Sequence, residues 1–246
     1  MGDRILYPRS LFVRCRAAYP ASSEHMDEAE MTLSGLEASA EGWRVGIIDP
    51  LLPITSRPTL LSDRCAILCT LIAYRTVELG EGLAREVEAN ALFPAGAVAR
   101  SLLEMMGLSA LARQRFQTFE AVGDHSGLDD ESIRLLLASR YFGDARAPRH
   151  FTTGELIDAG ANQLGPELRS EYGFLSDLAH PNSLLMWAAN HEDRMLGFDR
   201  PGIAPTMAGT LLNICGPGAS VVARNCLTLV EWSQEHDVAF LDGVGK

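Results

Sequence analysis

The sequence predicts an all-α protein, an irregular bundle of six to eight helices with long core helices. Three observations carry that expectation. Leu60, Ile67, Leu71, Tyr74 and Glu78 trace one helical stripe, and further long stretches keep the same period. The apolar–polar alternation of a half-buried strand is almost absent. Helix punctuation recurs at short intervals, at Pro94, Gly123-Asp124, Thr152-Thr153 and Gly165-Pro166. At 246 residues, with 47% apolar and 22% charged side chains, the chain can bury a sizeable core and is not disordered in bulk.

Taken in order, Ile5–Val13 suits a short strand or an ordered arm. Asp27–Ala40 has helix-forming composition with sparse apolar positions at Met31, Leu33 and Leu36. Trp43–Ile54 reads as extended or irregular, because Pro53 and Pro58 oppose a continuous helix. A helix is expected from Thr59 to about Glu88, apolar nearly all round over Ala66–Ala73 and open to a bend at Gly80 and Gly82. The next runs from near Pro94 to about Ala121. Leu128-Asp129-Asp130-Glu131 opens another with acid in its first turn, where the helix dipole favours it. Residues 143–150 form a loop carrying Arg146, Arg149 and His150. Thr152 or Thr153 caps a helix, with Glu155 completing a capping-box arrangement, and this helix ends near Gly165. Pro166 seeds a helix to Ala179. His180-Pro181 joins it to one over 182–195, and the last helix covers about Thr206–Asp237, kinked or split at Gly216-Pro217-Gly218. No repeat or linker divides the chain, so residues 1–58 are read as an arm or decoration packed on a helical domain of 59–242.

Charge and cysteine usage bound the function. Lys plus Arg is 21 against 32 Asp plus Glu, a formal net charge of −11, which opposes binding to phosphate backbones. The five cysteines include no CxxC, and the i,i+4 pair Cys65 and Cys69 cannot complete a zinc shell. Buried free thiols in a reducing cytoplasm are the expectation. Ile203–Ala223 has no charge across its 21 residues, but its Pro, Gly, Asn and Ser content reads as protein interior rather than a membrane span.

Two stretches offer chemistry. In Arg169–Asn182, Tyr172, Ser176 and His180 share a helical face, and Asp177 stands three residues before His180, placed to orient its imidazole. In Leu92–Glu104, Arg100 and Glu104 are the only charges between Ala91 and Ala112, so they call for each other or for polar groups on a facing helix. Candidate catalytic residues are therefore His180, Arg100, Glu104, Arg169, Tyr172 and Asp177, with Tyr74 and Glu78 as further members of one polar centre. The same cluster serves equally as a structural join between helices. A histidine near neutral pKa beside an arginine is chemically sufficient to cleave RNA next to a 2′-hydroxyl. No Glu-x-x-His pairs, HExxH, phosphate loop or nucleophile elbow is present, so no metal or cofactor is expected.

Ala99-Arg-Ser-Leu-Leu-Glu104, followed some seventy residues later by Tyr172-Gly-Phe-Leu-Ser-Asp-Leu-Ala-His-Pro-Asn182, resembles a group of uncharacterised bacterial all-helical proteins, over about residues 60–195. That group is loosely similar to the HEPN superfamily of helical domains found in toxins, defence systems and RNA processing. HEPN nucleases place an arginine, a polar residue and a histidine in one short motif; here Arg100-Ser101 has no histidine in that window, and His180 follows Arg169 only after eleven positions.

The expected protein is cytosolic, with a polar centre that is structural, partner-binding or small-ligand-binding; its acidic exterior, Trp-bearing helices and apolar long helices favour a homodimer or a protein partner. The alternative is a metal-independent HEPN-like ribonuclease, or a defence or toxin–antitoxin component, with RNA as substrate only in that case. Whether the protein is an enzyme is left open.

Overall fold

A computed structural model describes residues 12, 16–17, 19–51, 60–89, 91–123, 125–137, 150–179 and 203–236. Among them are seven long helices and no strand: α1 (Ser23–Trp43), α2 (Leu61–Glu88), α3 (Leu92–Val122), α4 (His125–Leu137), α5 (Thr153–Leu164), α6 (Glu167–Ala179) and α7 (Ile203–Glu235). The all-helical bundle expected from periodicity is the fold.

Helices α1, α2, α3 and α7 pack on one another as a core, and the α5–α6 hairpin covers the other side of α3. The apolar run of α2 is buried on most of its circumference, with Cys65, Ala66, Cys69 and Ala73 fully enclosed among α1, α3 and α7, but Leu71 of the expected stripe is 55% exposed and Ile67 only half-buried. On α1 the buried face is Met26, Ala29, Leu33, Leu36 and Ala40, whereas Met31 is 73% exposed and takes no part in the stripe expected of it. Each leucine buried this fully contributes about 2 kcal/mol. Phe12 is also buried, with its N–H donating to Glu30 Oε1 of α1 at 3.1 Å. Leu92–Phe119 of α3 is long and apolar enough to cross a membrane by length and composition, but 61% of that window is buried in the bundle.

Several local expectations change. Trp43–Ile54 is not extended as far as it is described. A π-helical turn over Arg44–Ile48 and a short helix over Asp49–Leu51 continue α1. Pro50 follows directly on the π turn, where the i→i−4 ladder is already interrupted and a missing N–H costs less. α2 runs unbroken through Gly80 and Gly82, and α7 through Pro217. α4 begins at His125, so Asp129 and Glu131 fall in its second turn and are used otherwise. Arg64 of α2, 3% exposed, forms an ion pair with Asp129 and donates to Ser132 Oγ at 2.7 Å, tying α4 to α2. Pro94 does lie in the first turn of α3. Thr152, not Thr153, caps α5: Glu155 N–H donates to Thr152 Oγ1 at 3.2 Å, and Thr152 N–H donates to Glu155 Oε2 at 2.7 Å. The expected strand or arm (apart from Phe12), the basic loop apart from His150, and the 182–195 helix lie outside the described residues.

The α5–α6 hairpin owes its position to one close approach. A Cβ on Gly107 of α3 would lie 2.3 Å from the carbonyl oxygen of Leu156 on α5, and one on Gly160 would lie 3.5 Å from Gly107 Cα. Gly107 thus lets the α5 backbone meet α3 without a side chain between them, while Gly160 makes room for Leu168 of α6, whose Cδ2 would lie 2.6 Å from a Cβ there. Gly165, at φ +125°, then turns the chain from α5 towards α6.

Gly107→Ala should destabilise the protein by about 1–3 kcal/mol, because backbone has to move to admit the methyl, and this exceeds the gain of about 1 kcal/mol in helix propensity. Gly35→Ala, on a face of α1 with nothing within 4 Å of the new methyl, should stabilise by roughly 0.5–1 kcal/mol. Urea unfolding of both variants would check the opposite signs; equal effects would remove the crossing from this account.

Candidate functional site

From the crossing, α6 runs back along α3, with Leu178 against Gly96 and Tyr172 between Arg100 and Glu104. Arg100 Nε donates to the Tyr172 hydroxyl oxygen at 2.7 Å, and that hydroxyl donates to Glu104 Oε1 at 2.9 Å. Arg100 Nε also stands 3.5 Å from Glu104 Oε1, and its guanidinium carbon lies 5.0 Å from the centroid of the tyrosine ring. Burial, and then the Glu104 carboxylate, push the Tyr172 phenol above its ordinary 10.0, against the opposing pull of Arg100. It therefore stays protonated at neutral pH. Arg100 and Glu104 are 28% and 27% exposed, so the pair is half-buried between helices rather than deep within the apolar surface. Three of the candidate residues thus meet.

The others do not join them among the described residues. Arg169 points to the surface, where its Nε donates to Asp158 Oδ1 at 2.8 Å. Asp177 is exposed, and Ser176 Oγ is buried without a hydrogen-bond partner instead of bonding back to its own helix. His180 lies outside the described residues. Tyr74 faces α1, donating to Glu41 Oε2 at 2.7 Å, and Glu78 pairs with Arg75 at 3.3 Å, so neither belongs to the Arg100 centre.

A second polar network, centred on a buried amide, lies elsewhere. Asn225 of α7 is 1% exposed. Its Nδ2 donates to Ser109 Oγ and to Gln163 Oε1, each at 3.0 Å. Its Oδ1 accepts from Gln163 Nε2 at 2.8 Å and from Arg113 Nη1 at 3.4 Å. One amide has both donors and both lone pairs occupied and links α3, α5 and α7. On the outer side of this network lies an open groove of about 580 Å³. Arg113, Gln114, Gln117 and Thr118 of α3 face Asn162 and Gln163 of α5 across it, with the buried Ala110 and Ala159 also in its lining.

None of these groove residues was singled out by motif. Their helices present polar residues as any solvated face does, and Asn225 stands far from Gln163 in the chain. One signal was present. The positions three and four residues either side of Arg113 are Ser109, Ala110, Phe116 and Gln117, so no local carboxylate is available to it.

Among the described residues no group of three or more His, Cys, Asp or Glu is placed to hold a metal ion. Cys65, Cys69, Cys215 and Cys226 are free and buried; burial pushes the Cys69 thiol up and the Cys215 thiol to about 12, which makes both poor nucleophiles. Cys15 lies outside the described residues. No family model, curated protein or solved structure matches this chain.

Tyr172→Phe should cost about 1 kcal/mol in urea unfolding, since it deletes the bridging hydroxyl but leaves Arg100 and Glu104 to pair directly. An unchanged midpoint would mean that the bridge contributes nothing. A pH effect follows from Glu41, whose carboxyl the Arg44 guanidinium, and then the Tyr74 hydroxyl, bring down from 4.5 to about 2. Its folded pKa is the lower one, so its contribution is present above pH 4.5 and is lost as pH falls towards about 2. Glu41 is 38% exposed, so solvent weakens the effect. Glu41→Gln should slightly flatten the acid limb of a stability–pH profile over that range and leave its neutral slope unchanged.

Proposed function

We propose that the protein binds a small ligand in the groove between α3 and α5, and that Arg100, Tyr172 and Glu104 form a clamp between helices rather than a reaction centre. The observation that carries this reading is the chemistry of the groove lining, which among the described residues has one guanidinium, several side-chain amides, a hydroxyl and small apolar groups but no His, Cys, Asp or Glu. Even the Thr118 hydroxyl is occupied, donating to the Gln114 carbonyl oxygen at 2.8 Å. Such a lining recognises a molecule by shape and hydrogen bonding and supplies no general acid, base or nucleophile. Its volume falls within the range of about 300–1,000 Å³ usual for small-molecule sites.

The clamp half of the reading rests on satisfied groups. The Tyr172 hydroxyl gives its proton to Glu104 and accepts from Arg100. The arginines that a HEPN-like cleavage would use, Arg100 and Arg169, each face a carboxylate. This favours binding over phosphodiester cleavage.

A thermal-shift screen of small soluble compounds, run in parallel on wild type and Ala121→Trp, tests the groove. Ala121 is exposed on its α3 wall, so the indole obstructs the groove without entering the core. Compounds that raise the wild-type melting temperature should lose that effect in the variant, whose unliganded melting temperature stays within about 2 °C of wild type, as expected for a surface change. Retention of the effect in the variant would place binding elsewhere.

A further inference from the structure

Resting on the groove reading, we infer that the ligand is a small monocarboxylate whose charged end is held by Arg113, with the Gln163 amide beside it. The inference begins from ion pairing across the described residues. Six other buried or half-buried arginines, at 16, 44, 64, 100, 115 and 134, each lie within ion-pair distance of a carboxylate. Arg113 is half-buried too, yet its one polar contact among the described residues is the 3.4 Å bond from Nη1 to Asn225 Oδ1. Nε and Nη2 have no partner there. In a chain of net charge −11, carboxylates are the commonest charged groups, so a half-buried guanidinium without one stands out.

Its surroundings suit an anion that arrives from outside. Asn225 has its own groups met and accepts from Nη1 at 3.4 Å, which leaves Nε and Nη2 on the other edge of the guanidinium for a two-pronged contact. Gln163 gives one amide proton to Asn225 and keeps a second, adjacent to the same groove. Ala110, Ala159, Ala121 and Val122 provide apolar surface for the body of the molecule, Val122 being 69% exposed at the rim. One cation and neutral amides balance a single negative charge. A phosphate dianion would bring a second charge with no cation to meet it, within a negatively charged protein.

Benzoate is a suitable probe, with benzamide as its neutral isostere and inorganic phosphate as the competing anion. Each is titrated into the full chain while the Arg113 Nε–Hε and Gln163 side-chain amide signals are followed by NMR. Benzoate should shift both sets of signals saturably and bind at least about tenfold more tightly than benzamide or phosphate, as expected for a charge-assisted pair of hydrogen bonds. Arg113→Gln should reduce benzoate affinity by a similar factor and leave benzamide unaffected. The wild-type shifts decide the matter even if that variant folds poorly. Benzamide or phosphate binding in the groove as tightly as benzoate would overturn the carboxylate class but leave the ligand groove standing. If no probe, and no compound from the thermal-shift screen, moves the groove signals, both readings fail.

Discussion

Two polar centres, the Arg100 clamp and the Asn225 network, depend on the close approach of α5 to Gly107. With no side chain on that residue, α5 comes down onto α3 until the Leu156 carbonyl stands where a Cβ would be. That contact fixes the register of the hairpin in two directions. Beyond it along α5, Gln163 arrives at Asn225 and beside Arg113. Back along α6, Tyr172 arrives between Arg100 and Glu104. A shift of α5 along α3 by one residue would rotate Gln163 off the buried amide and leave one proton and one lone pair of Asn225 unmet, at a cost of about 1–3 kcal/mol for each buried group so stranded. The close approach and the polar networks therefore reinforce each other: the glycine allows the register and the hydrogen bonds select it.

The three polar links carry different energies because their surroundings differ. Arg64, at 3% exposure, is a buried charge, and losing Asp129 would remove a carboxylate from beside it, a change typically costing several kcal/mol. Asn225 is neutral but equally enclosed, and it contributes to specificity, since its partners come from α3 and α5 while it stands on α7. Arg100 and Glu104 are more than a quarter exposed, so solvent screens their attraction and the clamp adds modestly to packing. The strongest links thus lie away from the residues that look most chemical in the sequence.

Periodicity and punctuation exposed most of the architecture. The stripe from Leu60 to Glu78, the Thr152–Glu155 box and the turn at Gly123 are local features, and each appears as a helix, cap or turn. Local rules failed where a neighbour decided the outcome. Met31 fits an apolar pattern but faces solvent, because the face that meets α2 and α7 is completed by Met26 and Ala29 instead. Pro217 does not divide α7, which is held along its length by α1, α2 and α3. The pairing of Arg100 with Glu104 was legible from their i,i+4 spacing, and Tyr172 from its place in a polar stretch. The Asn225 network was not, since it joins residues from three helices that are far apart in the chain and share no motif.

The contrast between the two centres bears on what each is for. At the clamp, donors and acceptors answer one another within 2.7–3.5 Å, and a cation, an anion and a phenol close on themselves. The phenol in this arrangement has its donor and an acceptor engaged, and the one carboxylate faces the one guanidinium. Beside Asn225 the inner half of the network is equally complete, but its outer half is not: Arg113 and Gln163 are each held by one edge and leave the other towards a groove. Ordering a long side chain while leaving donors unpaired sacrifices conformational entropy without the compensating bonds. A bundle that pairs its other half-buried arginines internally has the means to pair this one too. Held at one edge by Asn225 and open to the groove at the other, Arg113 is placed for an anion to complete its hydrogen bonding with little further rearrangement of the network behind it.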